Sequence, residues 1–94
     1  MQKLTRDDRG DFKLGTATGS RYEISLTDGG HTMRRISRTP DGELRRDREV
    51  IVILAFDPIQ VGEVALFTLE ALSPNGALAT MRRTSAVNSI ERCA

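Results

Sequence analysis

Alternation of apolar and polar residues in short runs is the feature that most constrains what this chain can fold into. In the run RYEISLT, residues 21–27, every second residue is apolar, which indicates a strand with one face buried. The sequence DGG follows at residues 28–30, and its glycines can take the positive φ angles that a tight hairpin turn needs. We therefore expect a return strand over residues 32–38.

Further runs of this kind occur along the chain, separated by turn sequences such as TPDGE and SPNG. The run VIVILAF is rich in β-branched residues and is predicted to be a strand buried on both faces, or nearly so. The strand-like runs are FKLGTAT at 12–18, RYEISLT, the return strand, VIVILAF at 50–56, ALATMRRT at 77–84 and a closing edge strand, AVNSIER, at 86–92.

Residues 58–72 fit two structures. As a helix, the segment would have Asp57 as its N-cap and Pro58 at the first position. Against the helix, Gly62 falls within the first turns, and Leu66 and Phe67 lie off the apolar stripe. One strand on each side of the SPNG turn accounts both for residues 58–72 and for the run ALATMRRT that follows. We therefore favour a strand over a helix at 58–72.

These runs predict an all-β fold, a small antiparallel barrel or sandwich of six or seven short strands. The alternative is an α+β fold with a helix at 58–72. A chain of 94 residues suits a single domain, which we place at residues 12–94, with residues 1–11 as a flexible arm. A barrel is favoured because closure removes open strand edges.

The residues that usually perform catalysis are sparse. Cys93 is the only cysteine and His31 the only histidine, so neither a disulfide nor a Cys/His metal cage is expected. We interpret His31 as a solvent-facing turn residue. No pair of acids shares a strand face, and the glycines lack the context of a phosphate-binding loop. We predict a non-enzyme with no cofactor and no metal.

The N-terminal sequence has no apolar segment of the kind found in signal peptides. The longest apolar run, residues 50–56, is too short to cross a bilayer. With a single cysteine, these features predict a cytoplasmic protein, or one of the host cytoplasm if a phage encodes it, without membrane contact.

Residues 34–49 hold six of the twelve arginines. Their alternation puts arginines on both strand faces, so we expect this segment to project beyond the core as a hairpin with both faces wet. Four acids within it reduce its charge to +2. The candidate partner-binding residues are Arg34, Arg35, Arg38, Arg45, Arg46, Arg48, Arg82 and Arg83.

Three segments, TATGSRYEISL, VGEVALFTLEAL and MRRTSAVNSIE, together resemble short β-rich proteins of actinobacteria and their phages, which form no named family. The resemblance covers most of the chain after residue 11. It implies a single β-rich domain from an arginine-rich, GC-rich source, on a phage or other mobile element. No active-site residues can be carried over from this resemblance.

These features predict a small binding module that acts through protein–protein contact, as a phage or mobile-element accessory protein engaging a host protein, or through self-association. One alternative is a nucleic-acid-binding protein that uses the arginine-rich hairpin. The other is a phage structural or assembly subunit that associates through open strand edges. Only four aromatic residues are present to stack on bases, which favours protein partners.

Overall fold

Eight strands form the regular structure of this chain in a computed structural model that describes residues 1–36, 49–71 and 79–93. These ranges contain no helix. The strands are β1 (Lys3–Leu4), β2 (Gly10–Thr16), β3 (Arg21–Thr27), β4 (Gly30–Ile36), β5 (Ile51–Phe56), β6 (Ile59–Gln60), β7 (Val64–Leu69) and β8 (Thr80–Cys93).

Six of the strands close into an antiparallel barrel in the order β2-β3-β4-β5-β7-β8. The closing strand is β8, which is long enough to serve two neighbours. Its first half pairs with β7, from Thr80 opposite Leu69, and its second half pairs with β2, ending with Cys93 opposite Asp11. The predicted all-β barrel is confirmed. Of the two strands expected at 77–84 and 86–92, residues 80–84 and 86–92 belong to this single strand, and residues 77 and 78 lie outside the described residues.

A two-stranded sheet of β1 and β6 covers one end of the barrel. Lys3 pairs with Gln60 and Leu4 with Ile59, and the side chains of Leu4 and Ile59 are completely buried. The amino group of Met1 donates a hydrogen bond to the carbonyl of Ile90 at 3.1 Å. The prediction of a flexible arm over residues 1–11 is therefore wrong, because burial of Leu4 fixes this segment to the core.

The alternative helix at 58–72 is also wrong within the described residues, which end at residue 71 in this part of the chain. Ile59–Gln60 and Val64–Leu69 are strands, and a turn separates them. Gly62 lies in this turn at a φ of 95°, a left-handed conformation that no residue of an α-helix adopts. Gly62 therefore interrupts the segment within what would have been the first turns of the helix.

The barrel interior is filled by apolar side chains from all six strands. The ring of Phe67 lies near its centre, stacked on Tyr22 with centroids 6.1 Å apart and tilted against Phe56 at 5.9 Å. The buried core consists of Leu4, Phe12, Leu14, Tyr22, Ile24, Leu26, Met33, Ile51, Ile53, Phe56, Ile59, Ala65, Phe67, Leu69, Val87 and Ile90. All four aromatic residues of the chain are among them.

Replacing Phe67 by alanine is expected to lower the free energy of unfolding by about 3–5 kcal/mol, because the substitution leaves a cavity among packed aromatic rings. The neighbouring substitution Leu66→Ala is the control, since Leu66 lies on the outer face and should change stability by no more than about 0.5 kcal/mol. Urea unfolding followed by circular dichroism measures both. Similar losses for the two variants would contradict the assignment of inner and outer faces.

Candidate functional site

Two of the candidate arginines are consecutive residues of β4 and point to opposite sides of the barrel wall. Arg34 is exposed and pairs with Glu23 on β3, with 3.0 Å between Arg34 Nε and Glu23 Oε1. Arg35 points inward, is 8% exposed, and donates a hydrogen bond from Nη2 to Ser20 Oγ at 2.7 Å. The prediction that this segment projects beyond the core with both faces in water is therefore wrong for Arg34 and Arg35. Buried and exposed side chains continue to alternate along β4 through these two residues.

A second pair of arginines, on β8, divides in the same way. Arg82 is 8% exposed and faces the interior opposite Phe67, whereas Arg83 is exposed opposite Leu66. Among the eight candidate residues, Arg34 and Arg83 lie on the outer surface and Arg35 and Arg82 inside the barrel. The other four lie outside the described residues: Arg38, Arg45, Arg46 and Arg48.

Both buried arginines lie toward the same end of the barrel. Because antiparallel strands alternate in direction, the β2–β3, β4–β5 and β7–β8 connections share one end. Arg35 is the next-to-last residue of β4, Arg82 is the third residue of β8, and Ser20 directly precedes β3. Leu4 and Ile59 cover the opposite end. The interior therefore changes from apolar at one end to hydrogen-bonding at the other.

Removal of Arg35 should cost more stability than removal of Arg34. In Arg35→Ala a buried charge-assisted hydrogen bond to Ser20 is lost, and we expect a loss of about 1.5–3 kcal/mol. Arg34→Ala removes a surface ion pair and should cost no more than about 1 kcal/mol. Chemical denaturation of both variants at the same pH makes the comparison. Equal losses would mean that Arg35 does not contribute from inside the barrel.

The most distinctive surface is a continuous apolar area on the outer face of β5, β7 and β8, which we call the apolar face. Five large apolar side chains on it are between 39% and 59% exposed. They are carried by three adjacent strands, so they form one patch. Its members are Val52 and Leu54 on β5, Val64 and Leu66 on β7, and Met81 on β8.

Strand pairing brings these residues together. Thr68 lies opposite Met81 on one side and Ala55 on the other. The Thr68 hydroxyl contacts Met81 Sδ at 3.1 Å, so the one hydroxyl in the middle of the face has a partner within the face. Leu66 lies opposite Arg83 in the same strand pair. The apolar face is therefore centred on Thr68 and Leu66.

Several charged residues border the apolar face, among them the exposed acids Asp57 and Glu63, which directly follow β5 and directly precede β7, respectively. Glu70 follows the last residue of β7, and its Oε1 accepts a hydrogen bond from the Val52 backbone N–H at 3.2 Å. Arg83 lies opposite Leu66, near the middle of β7, and its side chain is exposed. Glu70 and Arg83 thus lie on either side of Thr68.

Sequence reasoning missed the apolar face because residues 50–56 were predicted to be buried on both sides. The strand does alternate: Ile51 and Ile53 are buried, while Val52 and Leu54 are exposed. In a small barrel no second layer covers the outside. A strand made only of apolar residues must therefore place some of them on the outer surface. The unbroken apolar run at 50–56 could thus have predicted the apolar face.

The outer face of β2, β3 and β4 has a different character. Glu91, Lys13, Glu23 and Arg34 follow one another across β8, β2, β3 and β4 at matched register positions, so their charges alternate in sign. A shallow groove of about 380 Å³ crosses this face and reaches Cys93. The groove has a mixed, nearly balanced charge, which gives no preference for an anionic or a cationic ligand.

His31 is the second residue of β4, and its ring meets the edge of Phe56 at a centroid distance of 6.4 Å. Its Nδ1 is buried and has no hydrogen-bond partner among the described residues. The interpretation of His31 as a solvent-facing turn residue is therefore wrong, since it lies opposite Ile53 in the barrel wall.

No cluster of three or more metal-ligating side chains occurs in residues 1–36, 49–71 and 79–93. The same ranges contain no helix long and apolar enough to span a membrane. Comparison of the chain with protein-family models, with curated proteins and with solved structures gave no match.

Proposed function

We propose that this chain is a non-enzymatic binding module that acts through protein–protein contact, and that the apolar face is its contact surface. The observation that carries the proposal is the grouping of Val52, Leu54, Val64, Leu66 and Met81 on adjacent strands, all substantially exposed. Contiguous apolar patches on soluble domains mark surfaces that bind other molecules.

The energetics of the apolar face support this function. Each square ångström of apolar surface removed from water contributes about 25 cal/mol. The side chains stand on strands of the closed barrel, so binding orders little additional backbone and loses little conformational entropy. A rigid apolar surface with charged residues at its margin resembles the core and rim of protein interfaces.

Nucleic-acid binding has less support. All four aromatic side chains are buried, so none of them can stack on bases. Among the described candidate arginines, Arg34 is neutralised by Glu23, and Arg35 and Arg82 point inward. This function would have to depend on Arg83, which is exposed, and on the candidate arginines outside the described residues. The narrower idea of a phage accessory protein rests on the sequence resemblance alone.

Site-specific photo-crosslinking in cells tests the proposed function. A photoreactive phenylalanine analogue placed at Leu66 is expected to form covalent protein adducts, because this position is near the centre of the apolar face. The matched control carries the same analogue at Arg21, which is exposed on β3 on the other side of the barrel. Denaturing gels and mass spectrometry identify the adducts.

The proposal predicts adducts at Leu66 that are absent, or at least about tenfold weaker, at Arg21. A second substitution, Leu54→Ser, should reduce them, since it makes the apolar face more polar without touching the core. The analogue is also placed at Met81, a second position on the apolar face. If neither the Leu66 nor the Met81 position gives protein adducts while the labelled chains remain folded, the apolar face is not a protein-binding surface and the proposed function is wrong.

A further inference from the structure

We propose that a small pocket on the outer face of β8, β2 and β3 is a binding site for a phosphate monoester. The pocket, which we call the Gly15 pocket, has a volume of about 180 Å³ and is lined by Lys13, Leu14, Gly15, Arg21, Ser89 and Glu91. It shares no residue with the apolar face, so this binding activity goes beyond the proposed protein contact.

The floor of the pocket is a glycine that the backbone does not require. Gly15 lies in β2 between Arg21 of β3 and Ser89 of β8, and its φ is not in the left-handed region. A glycine inside a strand weakens the strand, and it often marks a place where a ligand approaches closely. A Cβ atom here would lie 2.9 Å from Ser89 Oγ, so the missing side chain keeps open the space beside that hydroxyl.

The pairing of β2 with β8 is irregular at the same place. Ser89 lies opposite Gly15, but the next paired residue of β8, Val87, lies opposite Thr16. The residue between them, Asn88, is therefore an extra residue of β8, which forms a β-bulge. Bulges change the direction of side chains and are common next to functional sites. This bulge lies in the wall of the pocket that carries Ser89.

Three strands each contribute one hydrogen-bond donor to the Gly15 pocket. Arg21 lies on β3, Lys13 on β2 and the Ser89 hydroxyl on β8. None of these three side chains forms an ion pair or a hydrogen bond within the part of the chain that the structure describes. In the same sheet Arg34 is already paired with Glu23. The donors of the pocket are thus available to a ligand.

The chemistry of the lining favours a phosphate monoester. Two cations and one carboxylate give the pocket a net charge of +1. A phosphate monoester offers three terminal oxygens to the three donors, whereas a carboxylate has only two. The guanidinium group of Arg21 can bind two phosphate oxygens at once. Glu91 can only accept hydrogen bonds when ionised, so it favours a ligand with a hydroxyl group near its phosphate.

An NMR titration of the isotope-labelled full chain with glycerol phosphate at low ionic strength tests the site. We expect saturable shifts of the Gly15, Arg21 and Ser89 amide signals, with a dissociation constant of roughly millimolar order. Dimethyl phosphate, a diester with two terminal oxygens, loses one hydrogen bond and should bind about fivefold more weakly. Glycerol alone should not bind. Added salt should weaken binding, because exposed charges are screened.

The variant Gly15→Ala separates the pocket from the fold. The new methyl group forces Ser89 Oγ to turn away, which a short side chain can do while the strands stay paired. We expect at least about tenfold weaker binding, with a Tm within about 5 °C of that of the unmodified protein. Arg21→Gln, a surface substitution, should weaken binding about tenfold or more. Lys3→Gln, the matched control, removes an exposed charge on β1 and should leave the dissociation constant unchanged.

The proposal is overturned if glycerol phosphate causes no saturable shifts at roughly 20 mM, or if Gly15→Ala and Arg21→Gln bind it as tightly as the unmodified protein. Equal affinity for dimethyl phosphate would identify a phosphodiester site, such as one for a nucleic-acid backbone, and would overturn the assignment to monoesters. Crosslinking at Leu66 reports on the apolar face alone, so failure of one proposal leaves the other in place.

Discussion

A closed barrel of six strands encloses one interior space, and the inward-facing side chains must fill it completely. Phe67, stacked on Tyr22 and tilted against Phe56, lies in the interior, and Leu4 with Ile59 closes one end. At the other end the inward positions of β4 and β8 are taken by Arg35 and Arg82. Their long apolar stems can pack against the core while their guanidinium groups reach hydrogen-bond acceptors. This interior takes up all four Phe and Tyr side chains of the chain, so none of them is exposed on the outer surface.

The sequence predicts the strands of this fold better than it predicts the direction in which their side chains point. The run RYEISLT and the DGG turn correspond to β3 and its hairpin, because alternation over seven residues and adjacent glycines are both local signals. Alternation identifies which residues share a face, but only the pairing of distant strands decides which face is interior. Arg35 and Arg82 therefore looked like surface residues. Val52 and Leu54 looked like core residues, because an apolar strand of a barrel resembles a strand covered on both sides.

The two outer faces of the barrel differ in chemical character. The β2–β3–β4 face carries a row of alternating charges from Glu91 to Arg34, and such rows remain well hydrated and bind one another weakly. The β5–β7–β8 face carries a group of exposed aliphatic residues. A domain with one hydrated face and one apolar face can associate in a single orientation without general aggregation.

Strand β8 pairs with both β7 and β2, and this arrangement affects the order in which the barrel forms. Pairing of Asp11 with Cys93 joins residues from opposite ends of the chain, and contacts of such large sequence separation form late because they close the largest loops. Until β8 is in place, β2 and β7 each have an unpaired edge. Before closure the chain therefore exposes backbone hydrogen-bonding groups of β2 and β7 that β8 pairs in the finished barrel, and this is when it is most prone to pair with the wrong strand.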